Sequence, residues 1–171
     1  MRDQVVDVYN RAWSETPFHP GAANIRTFGD RMLQHAGNPD FGLCVAVEQS
    51  TAVGFAYGYG SVPGGWWRQS VAAHLKSGDG LKWLDDCFEF AELAVAPEYQ
   101  RGGVGGLLHD GLLDGIQQST SLLSTQKANT SALRFYEARG WVVLNDWMVF
   151  SNRVEPYVIM GLDLSKQPGE R

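Results

Sequence analysis

From Arg2 to Trp13, apolar side chains return at Val5, Val6, Val8, Tyr9 and Trp13, close to a period of 3.6 residues. A second stretch, from about Ala22 to His35, sets Ile25, Phe28, Met32 and Leu33 on one face. Both predict amphipathic helices, and Gly37-Asn38-Pro39 stops the second. The pattern then changes. Leu43 to Val47 and Ala52 to Tyr59 read as strands joined by a polar turn at Glu48 to Thr51, a hairpin interrupted by Gly54, Gly58 and Gly60. Residues 61 to 86 combine Pro63-Gly64-Gly65, paired tryptophans, a short helix through Leu75 and a polar loop from Lys76 to Gly80. A connection of that length is usually functional or mobile.

Beyond it, Phe88 to Val95 predicts a central strand, Val104 to Ile116 a helix and Ser121 to Ser124 another strand. Asn129 caps a helix that ends near Arg139. Trp141 to Phe150 and Tyr157 to Leu164 read as closing strands, and residues 165–171 as a flexible tail. The chain contains no internal repeat.

Its 171 residues are the length of one domain, expected to span 1–171 and to bury about 70% of the unfolded surface. A hydrophobic fraction of 44% and a charged fraction of 19% are those of a soluble globular protein. No apolar run is long enough to cross a membrane, and Met1-Arg2-Asp3-Gln4 does not open a secretory leader, so a cytoplasmic location is expected. With 14 basic against 19 acidic residues, the net charge of -5 argues against a general nucleic-acid binder. Cys44 and Cys87 lie in apolar contexts that favour reduced, buried thiols, and the four histidines form no metal-ligand pair.

The chemistry centres on Leu93-Ala94-Val95-Ala96-Pro97-Glu98-Tyr99-Gln100-Arg101-Gly102-Gly103-Val104-Gly105-Gly106-Leu107-Leu108. It reads as a strand, a proline stop, a glycine turn and an apolar helix whose first N–H groups are free to meet an anion. A P-loop would need Lys and then Ser or Thr after the glycines, where Leu107 and Leu108 stand. A dinucleotide fingerprint would need a third glycine at Leu108.

The spacing Gln100-x-x-Gly103-x-Gly105 resembles the pyrophosphate motif of the GNAT superfamily, the acetyl-CoA-dependent N-acetyltransferases. Downstream, Leu123 to Gln126 followed by Asn129, Ala132, Phe135-Tyr136 and Gly140-Trp141 is similar to the second GNAT signature, in the family's order. The resemblance covers roughly residues 41 to 164. It implies a mixed α/β (α+β) fold: one twisted, mostly antiparallel sheet, splayed at a central parallel strand pair, with helices on both faces. GNAT domains also usually open with a strand, whereas here the pattern is helical from Arg2.

The same resemblance implies acetyl-CoA as cofactor. Backbone N–H groups from Arg101 through Gly102, Gly103, Val104 and Gly105 to Gly106 would hold its pyrophosphate, with Gln100 where the family usually carries Arg. Its pantetheine arm would lie along Leu93, Ala94 and Val95, where a bulged amide polarises the thioester carbonyl. Tyr136 matches the tyrosine that protonates the leaving sulfur in many members, although packing alone would account for it. Asn129 matches a cofactor-contacting asparagine, although helix capping would account for it too. Glu92 stands where several members place the base that deprotonates the amine; a structural ion pair is its other reading.

Trp66, Trp67, Trp83 and Phe88, with Tyr57 and the carboxylates of Asp85, Asp86 and Glu89, form either an acceptor-binding aromatic wall or a satellite hydrophobic cluster. The expected activity is transfer of acetyl from acetyl-CoA to a primary amine of a small molecule or peptide. The alternatives are a non-catalytic acyl-CoA sensor and an enzyme of protein N-termini or lysines; a homodimer is common in the family.

Overall fold

The computed structural model describes residues 1–14, 22–75 and 79–165. Part of the expected loop at 76–80 and nearly all of the expected tail lie outside them. In chain order the helices and strands are α1 (Arg2–Ser14), α2 (Ala22–His35), β1 (Gly42–Glu48), β2 (Thr51–Gly60), α3 (Trp66–His74) and β3 (Cys87–Val95). Then follow α4 (Val104–Leu113), β4 (Thr120–Gln126), α5 (Thr130–Glu137), β5 (Val142–Met148) and β6 (Tyr157–Asp163). The strands form one six-stranded mixed sheet in the order β1-β2-β3-β4-β6-β5. β3 and β4 are its parallel pair, matched at Cys87↔Thr120, Phe88↔Ser121 and Glu89↔Leu122, while β1/β2, β4/β6 and β5/β6 run antiparallel. The fold class expected from the sequence is the one observed.

Two compact units divide the chain, one of Met1–Tyr59 with Ala91–Ile116, the other of Gly60–Phe90 with Gln117–Arg171. In the first, the period-3.6 pattern of α1 and α2 buries Val5, Val8, Tyr9, Phe28 and Met32 together with Phe55 and Tyr57 of β2. The Tyr9 and Phe28 rings stack 3.8 Å apart. Each such side chain removed from water contributes about 1.5–3 kcal/mol, so this contact between helices and hairpin dominates the unit. Leu33, expected on the apolar face, is instead 52% exposed, because one position past Met32 the helix has turned about 100°. The hairpin turn is formed by Gln49 (φ 46) and Ser50 (φ 69), both left-handed as a two-residue type I′ turn requires.

Close approach fixes α4. A Cβ built on Gly54 of β2 would stand 2.8 Å from Leu108 Cδ1, 3.2 Å from the Ala94 carbonyl and 3.3 Å from Val104 Cγ1. Glycine thus lets the start of α4 lie directly on the strand. The helix ends at Leu113 rather than at the expected Ile116, since Asp114 is extended and Gly115 takes φ 76.

The second unit packs Val71 and Leu75, Leu84 from a 3-10 turn at Leu81–Leu84, Cys87, Leu122, Met148, Phe150 and Ile159. Both cysteines are free, and burial pushes the Cys87 thiol up to about 12, which leaves it unionised and unreactive.

Replacing Gly54 by Ala forces either the Ala94 carbonyl or α4 to move. Gly54→Ala is expected to cost about 1–3 kcal/mol, read in urea unfolding as a lower midpoint at unchanged slope; an unaltered midpoint would show that the approach is slack.

Candidate active site

The loop after β3 is braced before the glycines begin. Gln100 Nε2 donates to the Val95 carbonyl at 3.0 Å, and the Tyr99 hydroxyl donates to Glu48 Oε2 at 2.6 Å. Arg11 of α1 pairs with Glu98. The chain then takes two left-handed steps, at Arg101 (φ 61) and Gly103 (φ 88). Arg101 adopts that conformation with a side chain, at a cost of order 1 kcal/mol. At Gly103 a Cβ would meet nothing within 4 Å, so the turn opens to free space.

Gly103 is the N-cap of α4 and no side chain caps the helix. The first-turn N–H groups, of Val104, Gly105 and Gly106, have no intrahelical partner, and the helix dipole places partial positive charge there. Free main-chain donors and a dipole of this sign favour negative charge at a helix start. The Gln100 amide is tied to Val95, so in this loop it acts as a brace.

Upstream on β3, in the same unit, Glu92 lies 3.9 Å from Arg31 Nη2, with side-chain exposures of 17% and 30%. Burial raises the Glu92 carboxyl from an ordinary 4.5 to about 7, with Arg31 pulling the other way. That is the range in which a carboxylate can exchange a proton at neutral pH. Arg31 Nη2 also donates to the Tyr9 hydroxyl at 3.3 Å, and its guanidinium carbon lies 5.5 Å from the Phe28 ring centre. Burial works against its charge, and Tyr9 and Glu92 more than offset that. His35 Nδ1 and the Tyr57 hydroxyl share a hydrogen bond of 3.1 Å. Burial, with the Arg31 charge, lowers His35 to about 4, so the ring is neutral near pH 7; burial raises the Tyr57 hydroxyl, which stays protonated.

Arg31 and His35 escaped the sequence reading, which followed only the apolar face of α2. The available signal was spacing: Phe28, Arg31 and His35 fall three and four residues apart, one stripe beside the core face.

In the second unit, Asn129 caps α5, its Oδ1 accepting from Ala132 N at 3.1 Å. Tyr136 is 9% exposed, its ring edge-on to Phe90 at 6.0 Å and to Trp141 at 5.5 Å. Phe88 is fully buried, and Trp83 packs against the core of this unit, its ring over Gly161. Trp67 Nε1 donates to Ser124 Oγ at 2.9 Å. Trp66 is 54% exposed and stacks on Phe150. Glu89 accepts from Ser61 Oγ at 2.7 Å, and Asp86 accepts from the Ser119 amide. Tyr57 belongs to the first unit, in the cluster around Arg31 and His35.

The strand order, the parallel β3/β4 pair and the glycine turn into α4 define the fold of the GNAT acetyltransferases. A model of the acetyltransferase (GNAT) family matches residues 3–141. The chain is 33% identical over 129 residues to a GCN5-like protein acetyltransferase of Mycobacterium tuberculosis, a match covering 70% of this chain and 63% of that relative's length. This chain belongs to the GNAT acetyltransferase family.

Solved structures share the fold. A GNAT-family acetyltransferase from Desulfovibrio desulfuricans superposes with a TM-score of 0.66 at 18% identity, over 95% of this chain and 91% of that one. The yncA structure from Salmonella typhimurium, with its cofactor acetyl-CoA, does so with a TM-score of 0.58 at 18% identity, over 96% and 88%. Among the described residues, no helix is long and apolar enough to cross a membrane, and no group of His, Cys, Asp and Glu could hold a metal ion.

The raised Glu92 carboxyl has a consequence for stability. Between pH 4.5 and about 7 the folded chain keeps a proton that unfolded glutamate has released. The contribution is therefore complete below 4.5 and is lost as pH rises towards 7. Glu92→Gln is expected to flatten this part of the stability–pH curve, measured by urea unfolding at half-unit steps; parallel curves for the two proteins would refute the shift.

Proposed function

We propose that the chain is an N-acetyltransferase that moves an acetyl group from acetyl-CoA directly to a primary amine. The observation that carries this reading is the uncapped start of α4, opened by left-handed Gly103 and anchored to the end of β3, the strand that also bears Glu92. Main-chain N–H groups from Arg101 to Gly106 would hold the pyrophosphate, and Leu93, Ala94 and Val95 would pair with the pantetheine arm. When bound, acetyl-CoA supplies an acetyl group activated as a thioester.

The chain's own residues do the rest. A backbone amide near Val95 would polarise the acyl carbonyl, and Glu92, half ionised near pH 7, would take a proton from the substrate ammonium and so free the neutral amine for attack. Tyr136 returns a proton to the departing sulfur. The free carboxamide nitrogen of Asn129 is the part of that side chain left to meet the cofactor, since its oxygen caps α5. A purely acyl-CoA-sensing domain would have no use for a carboxyl tuned to neutral pH, and Glu92 opposes that rival.

The acceptor is a small molecule or a peptide. A second reading, a protein lysine or N-terminal acetyltransferase, draws support from the mycobacterial relative, whose name describes a protein acetyltransferase.

Calorimetry with coenzyme A and acetyl-CoA is expected to give saturable heat, and thiol release on an amine panel to give turnover; absence of both would remove the assignment. Tyr136→Phe keeps the ring and its aromatic contacts. It is expected to lower kcat on the order of 100-fold while acetyl-CoA affinity holds, and unchanged kcat would eliminate the tyrosine as the acid.

A further inference from the structure

The pairing of Arg31 with Glu92 is poorly explained as a structural ion pair. A buried pair offsets the loss of hydration only when its geometry is close and hydrogen-bonded. Here the nearest atoms are 3.9 Å apart, beyond hydrogen-bonding distance, and both side chains keep some exposure. Arg31 stays turned towards this spot because Tyr9 accepts one of its N–H groups and Phe28 lies beneath its plane.

Among the described residues, the groups that act electrostatically on Arg31, Glu92 and His35 are one another, Tyr9 and Tyr57. His35 faces the site from α2 as a neutral ring, Tyr9 comes from α1, and Tyr57 comes from β2. Arg31 and, in its ionised form, Glu92 therefore face one another as cation and anion at 3.9 Å, slightly too far apart for a hydrogen bond.

We infer that this Arg31–Glu92 pair is the receptor for a zwitterion, and that the acceptor is a free α-amino acid whose carboxylate is held by Arg31 while its amine sits at Glu92. An α-amino acid carries its two charges on neighbouring atoms of a single carbon, so it can bridge a cation and an anion that do not quite touch. The planar fork of arginine suits a carboxylate, which it can bind through two parallel N–H groups. Phe28, Tyr9 and Tyr57 are 0%, 2% and 1% exposed, so they hold the arginine in place from within the core and leave recognition of the guest to the two charged groups.

This inference rests on the acetyltransferase reading above and deepens it. In the transfer, the amine nitrogen forms a bond to the acetyl carbon as the carbon–sulfur bond breaks. The ammonium of the zwitterion gives up two protons: one passes to Glu92 and frees the nitrogen lone pair, and the other is lost as the carbon–nitrogen bond forms and is balanced by the one Tyr136 delivers to the sulfur, which leaves as the thiol of coenzyme A.

The test is a matched trio of leucine, leucinamide and isoamylamine, compared with a lysine peptide blocked at both ends, using acetyl-CoA and thiol release as the readout. Leucine is expected to exceed leucinamide and isoamylamine in kcat/KM on the order of 100-fold, the discrimination carried by hydrogen bonds to a charged group. Arg31→Met should collapse that ratio towards one, chiefly through KM, and Arg31→Lys should keep part of it.

If thiol is released but leucinamide, isoamylamine or the blocked peptide does as well as leucine in the wild-type protein, the zwitterion receptor is overturned and the acetyltransferase stands. If coenzyme A produces no heat and no amine releases thiol, both fall together. The wild-type comparison decides the matter even should the Arg31 variants fail to fold.

Discussion

The structure of the first unit turns on how near α4 can lie to the hairpin. Gly54 removes the one Cβ that would meet Leu108 and the Ala94 carbonyl, and Gly111 and Gly42 likewise face Cys44 and Leu112 across a narrow gap. Side chains of α4 therefore sit directly on strand backbone, and Cys44 of β1 on the helix at Gly111, so the loop between β3 and α4 has little freedom once its two ends are set. Tyr99, Gln100 and Glu98 fix what remains by binding the β1 end, the β3 end and α1. Rigidity matters where the exposed donors are peptide groups, because these cannot swing as lysine or arginine side chains can.

Electrostatics in this unit is governed by burial more than by charge pairing. Glu92 is raised by loss of water despite an arginine nearby, and His35 is lowered for the same reason. Near neutrality, then, His35 is uncharged, Glu92 is divided between its two forms and Arg31 keeps full charge.

The elements were legible where the chain repeats a period or breaks it with glycine or proline. The helices at 2–14 and 22–35, the hairpin and the turn into α4 all follow from side-chain spacing. The end of α4 was misread because Leu113 and Ile116 continue the apolar pattern past a glycine that stops it. Leu33 was misread because its hydrophobicity says nothing of the 100° that separates it from Met32. The glycine loop was legible because its chemistry belongs to the backbone and needs only local sequence. Arg31 was not, since its meaning depends on Glu92, 61 positions away in the sequence, arriving beside it. The aromatic residues of 61–86 were ambiguous for the same reason: a tryptophan looks alike in sequence whether it packs inward, as Trp83 does, or faces water, as Trp66 does.

The side chain of Gln100 has an effect on how β3 ends. By donating to the Val95 oxygen it takes one of the two lone pairs of an acceptor at the strand's tip. That leaves one lone pair on the Val95 oxygen and holds the peptide group at the strand's end in a fixed orientation. A single carboxamide thus sets the direction in which the last peptide of the strand faces the turn that follows it.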